Sequence, residues 1–314
     1  MTYFWRLFLS VLMAFFLSFS HLSAYSLPVT ITPITASDFL KLGVTQMQRG
    51  DYQEAIEQFN QALQLQENLA VAYNDRCFAY LQLQDYHQAI ADCTQALNFT
   101  PQNFDTYLLR GLAHYRKGDD PAAIADYNQA IALKPDDFRA YYNRGLAYTG
   151  QGKYLQAIAN YNLALTQIPP TSNLFLADIY NDRGLAHLIL QDSPAAMLDF
   201  DLAIRLKPQD YRAYFNRGCT SGQNGDDMAA IRDFSQAIRL NPSYAQAYVN
   251  RGMARYRLSS HQGAMSGNKL FRIYTDLKQA SEYFGEQGEK VAYEKTLSLL
   301  NKLQQQLELA IEIA

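Results

Sequence analysis

The sequence predicts an all-α chain of about seven stacked helical hairpins, and three observations carry that prediction. An aromatic residue is followed four positions later by a small one seven times, from Phe39, Tyr73, Tyr107, Tyr141, Tyr180, Tyr214 and Tyr248. The distance from one aromatic to the next runs 34, 34, 34, 39, 34 and 34. Alanine recurs twelve residues after the small position and, in undisturbed copies, again seven further on, as in Gly111, Ala123 and Ala130. Proline closes five copies, at Pro101, Pro135, Pro169, Pro208 and Pro242, where a helix interior cannot continue. A period of about 34 residues fits a hairpin that cannot bury its apolar face alone, so neighbours must stack.

The first 24 residues stand apart. Arg6 precedes the apolar run Leu7 to Phe19, and Ser20, Ser23 and Ala24 follow. This is the shape of a signal peptide, with an uncleaved N-terminal anchor as the alternative. Residues 25–35, with Pro28 and Pro33, read as an extended linker. With the aromatic as fourth position, the units then run 36–69, 70–103, 104–137, 138–171, 177–210, 211–244 and 245–285. Residues 172–176 read as a longer loop between units four and five. Ser266 to Tyr274 read as an insert in unit seven, either a bulge, a helix in shifted register, or an added contact for a partner. Skipping those nine residues leaves Ala264 at position 20 and restores Asp276 and Ala280 to positions 23 and 27. The segment 286–314 carries Tyr293, Leu297, Leu300, Leu303, Leu307 and Ile311 on one stripe. It reads as a capping helix, with a dimerising coiled coil as the alternative.

Within a unit, Gly50, Gly118, Gly152 and Gly225 mark the hairpin turn, and Asp or Ser beside it caps the second helix. Small residues at positions 8, 20 and 27 let two helix backbones approach. Aromatics at 4 and 24 (Phe59, Tyr127, Tyr161, Phe200 and Phe234 at the latter) fill the space between hairpins. On these residues the chain resembles the tetratricopeptide repeat (TPR) family from 36 to about 285. The resemblance implies a right-handed α-solenoid superhelix. Its Asn-Arg-Gly and Ala-Ile-Ala-Asp-Tyr phrases resemble exported cyanobacterial members, which implies a periplasm or thylakoid lumen. Departures are Cys77 at position 8 and Glu67 in place of the first terminal proline.

Position 7, usually apolar in that family, is arginine in units two to seven: Arg76, Arg110, Arg144, Arg183, Arg217 and Arg251. Position 23 in the same units reads Asp92, Asp126, Asn160, Asp199, Asp233 and Asp276. The first unit has Leu42 and Gln58, so the two features occur together and are missing together. A ladder of Arg–carboxylate pairs between the helices of a unit or between units is expected; an arginine row reading anionic ligands is the alternative. Cys77 and Cys93, at positions 8 and 24 of one unit, sit on facing helices. They are either buried thiols or, in an oxidising compartment, a disulfide.

Net charge is −3, and no basic block interleaved with aromatics occurs, which argues against nucleic acid as a partner. The five histidines are scattered, and no phosphate loop, nucleophile elbow or Cys-x-x-Cys is present. No catalytic residue, metal site or cofactor is expected. The resemblance places positions 2, 5, 9 and 12 of the first helices on a concave groove. Asn74, Leu108, Arg139, Tyr142, Asn181, Arg212, Phe215 and Val249 are then the candidates for binding a peptide or partner protein, with Tyr142 and Phe215 as anchors. The subclass that binds chaperone C-termini uses Lys at 5 and Asn at 9; neither occurs in any unit. The expected function is an exported scaffold in assembly of an envelope or membrane complex. Alternatives are a structural oligomerising protein and a regulatory subunit of an enzyme. Oligomeric state is not specified by the sequence, and membrane contact is expected only through an uncleaved N-terminus.

Overall fold

The structure, a computed structural model, describes residues 34–169, 171–261 and 266–312. The signal-peptide or anchor segment, Ala264 and most of the linker lie outside the described residues. Fifteen α-helices and no strands occur among those described. Units one to seven are α1 (Ala36–Arg49) and α2 (Tyr52–Leu65), α3 (Ala70–Gln82) and α4 (Tyr86–Phe99), α5 (Phe104–Lys117) and α6 (Asp120–Leu133), α7 (Phe138–Gly150) and α8 (Tyr154–Gln167), α9 (Asn173–Ile189) and α10 (Ser193–Leu206), α11 (Tyr211–Gln223) and α12 (Asp227–Leu240), α13 (Ala245–His261) and α14 (Gly267–Glu286). The last helix is α15 (Lys290–Glu312). Each helix packs on the one before and the one after, and first helices of successive units also touch, giving an all-α repeat superhelix.

The close approach inside each hairpin is steric. A Cβ on Gly111 would stand 2.5 Å from the Tyr127 ring, and one on Gly145 2.6 Å from Tyr161. Those rings, with Phe59 and Phe200, have no open surface. The two tyrosines differ at their tips. Tyr161 Oη lies 2.9 Å from Thr149 Oγ1, whereas Tyr127 Oη is buried with no partner among the described residues. The residue of unit three that corresponds to Thr149 is Tyr115, which offers no short hydroxyl there. Tyr127→Phe is therefore expected to raise the unfolding free energy by about 1–2 kcal/mol, and Tyr161→Phe to lower it by about 1 kcal/mol, in parallel urea titrations.

Turns follow the chemistry of the left-handed region. Gly50, Gly118 and Gly225 adopt φ of 88°, 86° and 82°, and at the same position units two and five place Gln84 and Gln191 at 63° and 64°. A side chain there costs about 1–2 kcal/mol, which the surrounding packing offsets. Asp85, Asp119, Asp192 and Asp226 then cap the second helices by accepting the backbone N–H three residues on.

Two elements differ from the sequence expectation. Residues 173–176 form an extra N-terminal turn of α9 instead of loop. Leu176 packs beside Ile168 and Ile179, and the Phe175 ring meets Phe138 edge-on at 5.5 Å, so the added residues have apolar surface to cover. In unit seven, residues 267–274 are helical and continuous with α14, while α13, at 17 residues, matches the extended α9 in length. The residue three before Asp276 is thus Ile273, 1% exposed, which takes the structural place of the second-helix alanine of the other units. Leu300 and Leu303 of α15 are buried against Leu270, Ile273 and Leu277, so this part of the apolar stripe covers the last repeat. That burial removes them from any dimer seam. The side chains of Leu307 and Ile311 lie outside the described residues. Among those described, no helix is long and apolar enough to cross a membrane.

Candidate protein-binding groove and its arginine ladder

Every arginine at position 7 makes contacts in three directions. Nε and Nη2 of Arg76 donate to Asp92 at 2.6 and 2.7 Å, and those of Arg183 to Asp199 at 2.8 and 2.6 Å. Arg110–Asp126, Arg217–Asp233 and Arg251–Asp276 repeat this bidentate arrangement. The third nitrogen, Nη1, reaches back to the second helix of the preceding unit. Its acceptors are Asn60, Thr94, Asn128, Asn162, Asp201 and Ser235 in turn. The guanidinium also lies over the position-4 tyrosine of its own unit, 5.4 Å from the Tyr180 centroid and 5.7 Å from Tyr214. One side chain thus joins the two helices of its hairpin and ties that hairpin to its neighbour.

Unit four departs from the rule. Arg144 has a single bond to Asn160, from Nε at 2.7 Å, and burial with no carboxylate partner pulls its pKa down. Arg217, hydrogen-bonded to Asp233 and also to Asp201, is shifted up. In unit two, positions 8 and 24 hold Cys77 and Cys93 with Cα atoms 5.5 Å apart and sulfurs in bonded contact. The pair occupies the site where units one and three to six place glycine against a ring. Cys219 is a free thiol.

The groove candidates fall into two groups. Arg139 and Arg212 are open to solvent but already paired. Arg139 joins Asp137 at 2.8 Å and reaches Asp105 of the preceding unit at 3.2 Å; Arg212 likewise joins Asp210 at 2.6 Å and Asp178 at 2.7 Å. The others are largely committed to packing between units. Asn74 accepts from Thr106, and buried Asn181 accepts from Asn216, so neither amide oxygen is free for a peptide backbone. Leu108 is buried, and Val249 packs against the α13–α15 core. The Tyr142 ring lies against Tyr161 and its hydroxyl donates to Asp182 at 2.7 Å; Phe215 sits between Phe234 and Tyr244. Both proposed anchors are therefore half-buried wall. The position-9 series Phe78, Leu112, Leu146, Leu185 and Met253 is half-buried to a similar degree and forms an apolar row along the first helices.

Asp182 is the residue that sequence reasoning missed. Burial pushes its carboxyl up to about 6; the hydroxyl of Tyr142 and the charge of Arg212 oppose that rise, and nearby Asp178 adds to it. A pKa raised on folding adds stability that is complete below the unfolded value of about 4 and is lost as pH rises through about 6. Asp182→Asn keeps an acceptor for Tyr142. It is expected to stabilise the protein by about 1–2 kcal/mol at pH 7.5 and by nothing measurable at pH 4, in thermal melts at the two pH values. The wall is also indented at unit six, where Gly218, Cys219 and Gly222 border a recess of about 240 Å³. Among the described residues no cluster of His, Cys, Asp and Glu is arranged to hold a metal ion.

A TPR repeat model matches residues 43–84, 78–118, 113–152 and 222–259, and a tetratricopeptide repeat model matches 138–169, together more than half of the chain. No curated protein sequence matches. Among solved structures the chain is similar to a tetratricopeptide repeat protein from Parabacteroides merdae, with TM-score 0.61 and 19% identity over 83% of this chain and 98% of that one. It is similar to a chain of the APC/C hetero-tetramer Cut9-Hcn1 at TM-score 0.62 and 18% identity, over 71% of this chain but only 43% of that one. PilW, described as a widely conserved type IV pilus biogenesis factor, gives 0.59 and 18%, over 68% and 96%. At such identities the likeness is one of fold. The 34-residue period, the packing it enforces and the two repeat matches place this chain in the tetratricopeptide repeat family, whose repeats serve as protein-interaction scaffolds.

Proposed function

We propose that this protein is an exported scaffold whose groove, lined by the first helices, binds a peptide or partner protein during assembly of an envelope or membrane complex. The observation that carries the groove reading is the half-buried apolar row at Phe78, Leu112, Leu146 and Leu185, one residue per unit on successive first helices that touch each other. A row repeated at unit spacing suits an extended polypeptide, which presents side chains at regular intervals. Export draws support from the N-terminal sequence and from Cys77–Cys93, since such bonds persist in oxidising compartments. The cyanobacterial lumen or periplasm rests on sequence likeness alone.

Photo-crosslinking residues placed singly at 112 and 146 test the groove. Leu155 and Leu198, exposed on second helices, serve as controls. Adducts with the same partner from 112 and 146, and none from 155 and 198, are the expected result. Adducts from the controls alone would reject the groove. Export is tested by intact mass of the native protein in fractionated cells: loss of about the first 24 residues means cleavage, and full-length protein in the cytosol rejects export.

A further inference from the structure

We propose that the sixth unit holds a recess that seats one aromatic side chain of the bound polypeptide, which gives the groove its residue selectivity. The inference rests on the groove reading above and is specific to this unit. At position 9, units three to five carry Leu112, Leu146 and Leu185, whereas unit six has Cys219. At position 12 the same units carry Tyr115, Thr149 and Leu188, whereas unit six has Gly222. The missing side chains leave about 240 Å³ between α11 and α13, with the Phe234 ring in its lining and Asn250 and Arg257 on the opposite side.

The lining specifies the occupant. Phe234 and the Cys219 thiol are apolar, and burial pushes that thiol up to about 11, so the recess carries no negative charge of its own. Arg257 Nε donates to Asp227 Oδ1 at 2.9 Å and Nη2 stands 2.7 Å from the same oxygen in an ion pair, which holds the guanidinium in place. A Cβ on Gly222 would lie 3.1 Å from Nη2, so the guanidinium rests directly over the glycine. The ladder arginines lie over tyrosines, but Arg257 has no ring over it among the described residues. A held guanidinium beside an apolar recess favours a ring over an aliphatic chain, because the ring adds cation–π attraction to the same apolar burial. Asn250 donates weakly to Cys219 Sγ at 3.6 Å, and its amide oxygen has no partner among the described residues. It is placed to accept a backbone N–H from the segment that bears the ring.

The test uses a phage-displayed library of random seven-residue peptides on the full chain and on Cys219→Leu. That variant copies the position-9 leucine of units three to five and leaves Gly222 under the Arg257 guanidinium, and circular dichroism checks its fold. The expected result is that peptides selected on the unaltered chain share an aromatic residue at one position. They should bind the filled variant at least tenfold more weakly, and lose as much when the aromatic becomes leucine. Binders with no shared aromatic, or equally bound by both proteins, overturn the recess while leaving the groove standing, provided they compete with crosslinking at 112 and 146. Absence of any binder overturns both. A second measurement needs no variant: N-acetyl-phenylalanine amide should shift the amide resonances of Gly218, Gly222 and Gln223 more than N-acetyl-leucine amide does. Equal shifts overturn the aromatic preference.

Discussion

Replacing Asp199 with alanine is expected to cost about 3–5 kcal/mol of unfolding free energy. Asp199 is 1% exposed and takes two bonds from Arg183. Without it the guanidinium keeps only Asn162 and the face of Tyr180, while remaining desolvated. The loss comes from stranding a charge; replacing both partners with apolar residues of similar volume would cost far less. In a repeat array the damage is expected to concentrate in units four to six, so hydrogen exchange should show protection falling there first. Unit four supplies the reciprocal experiment: Asn160→Asp gives Arg144 the carboxylate it lacks and is expected to add about 1 kcal/mol. If Asp199→Ala unfolds at the same urea concentration as the unaltered protein, the ladder contributes nothing to stability and the arginines exist for another purpose.

Reduction of Cys77–Cys93 is expected to lower stability by about 3 kcal/mol, from the chain entropy returned to the unfolded state by opening a loop of about this size. The residues are 16 apart in sequence. Melts with and without a phosphine reductant measure the difference. Cys219 does not confuse the result, since it is already a free thiol and a phosphine acts only on the S–S bond. Cys77→Gly/Cys93→Phe should recover much of the loss, because it rebuilds the Gly43–Phe59 arrangement of the first unit, in which glycine faces a buried ring. Identical melts in both redox states would mean the bond adds no constraint.

The sequence exposed the repeat because sterics act at fixed positions: a glycine that admits a ring must recur wherever the ring does. It exposed Arg–Asp pairing because arginine and acid are present or absent together. The third contact was equally written there and went unread. Position 25 offers a hydrogen-bond acceptor in each of units one to six, from Asn60 to Ser235, and the ring under each ladder arginine is tyrosine, while the unit lacking arginine has Phe39. The groove was less legible. Positions 2, 5, 9 and 12 share a helix face, but a face does not say how much of it neighbouring first helices consume. Asn74, Asn181 and Tyr142 bond to neighbouring first helices, and Phe215 packs on Phe234 and Tyr244 of its own unit. Asp182 is not legible in the sequence because its hydrogen-bond partner, Tyr142, lies 40 residues away.

The arginine contacts also define where the chain can be cut. In a regular unit the backward acceptor lies 16 residues before the arginine and the forward carboxylate 16 after it, as for Asn60, Arg76 and Asp92. The insertion before unit five stretches only the backward span, to 21, and the one inside unit seven only the forward span, to 25. A protein shortened between a ladder arginine and its carboxylate would strand that cation with half its partners. One shortened after 103 or 137 would leave every remaining ladder arginine with both its backward acceptor and its forward carboxylate. Ladder matching is therefore kept when whole hairpins are removed from the C-terminal side, provided that α15 or an equivalent cover is rejoined to the last one.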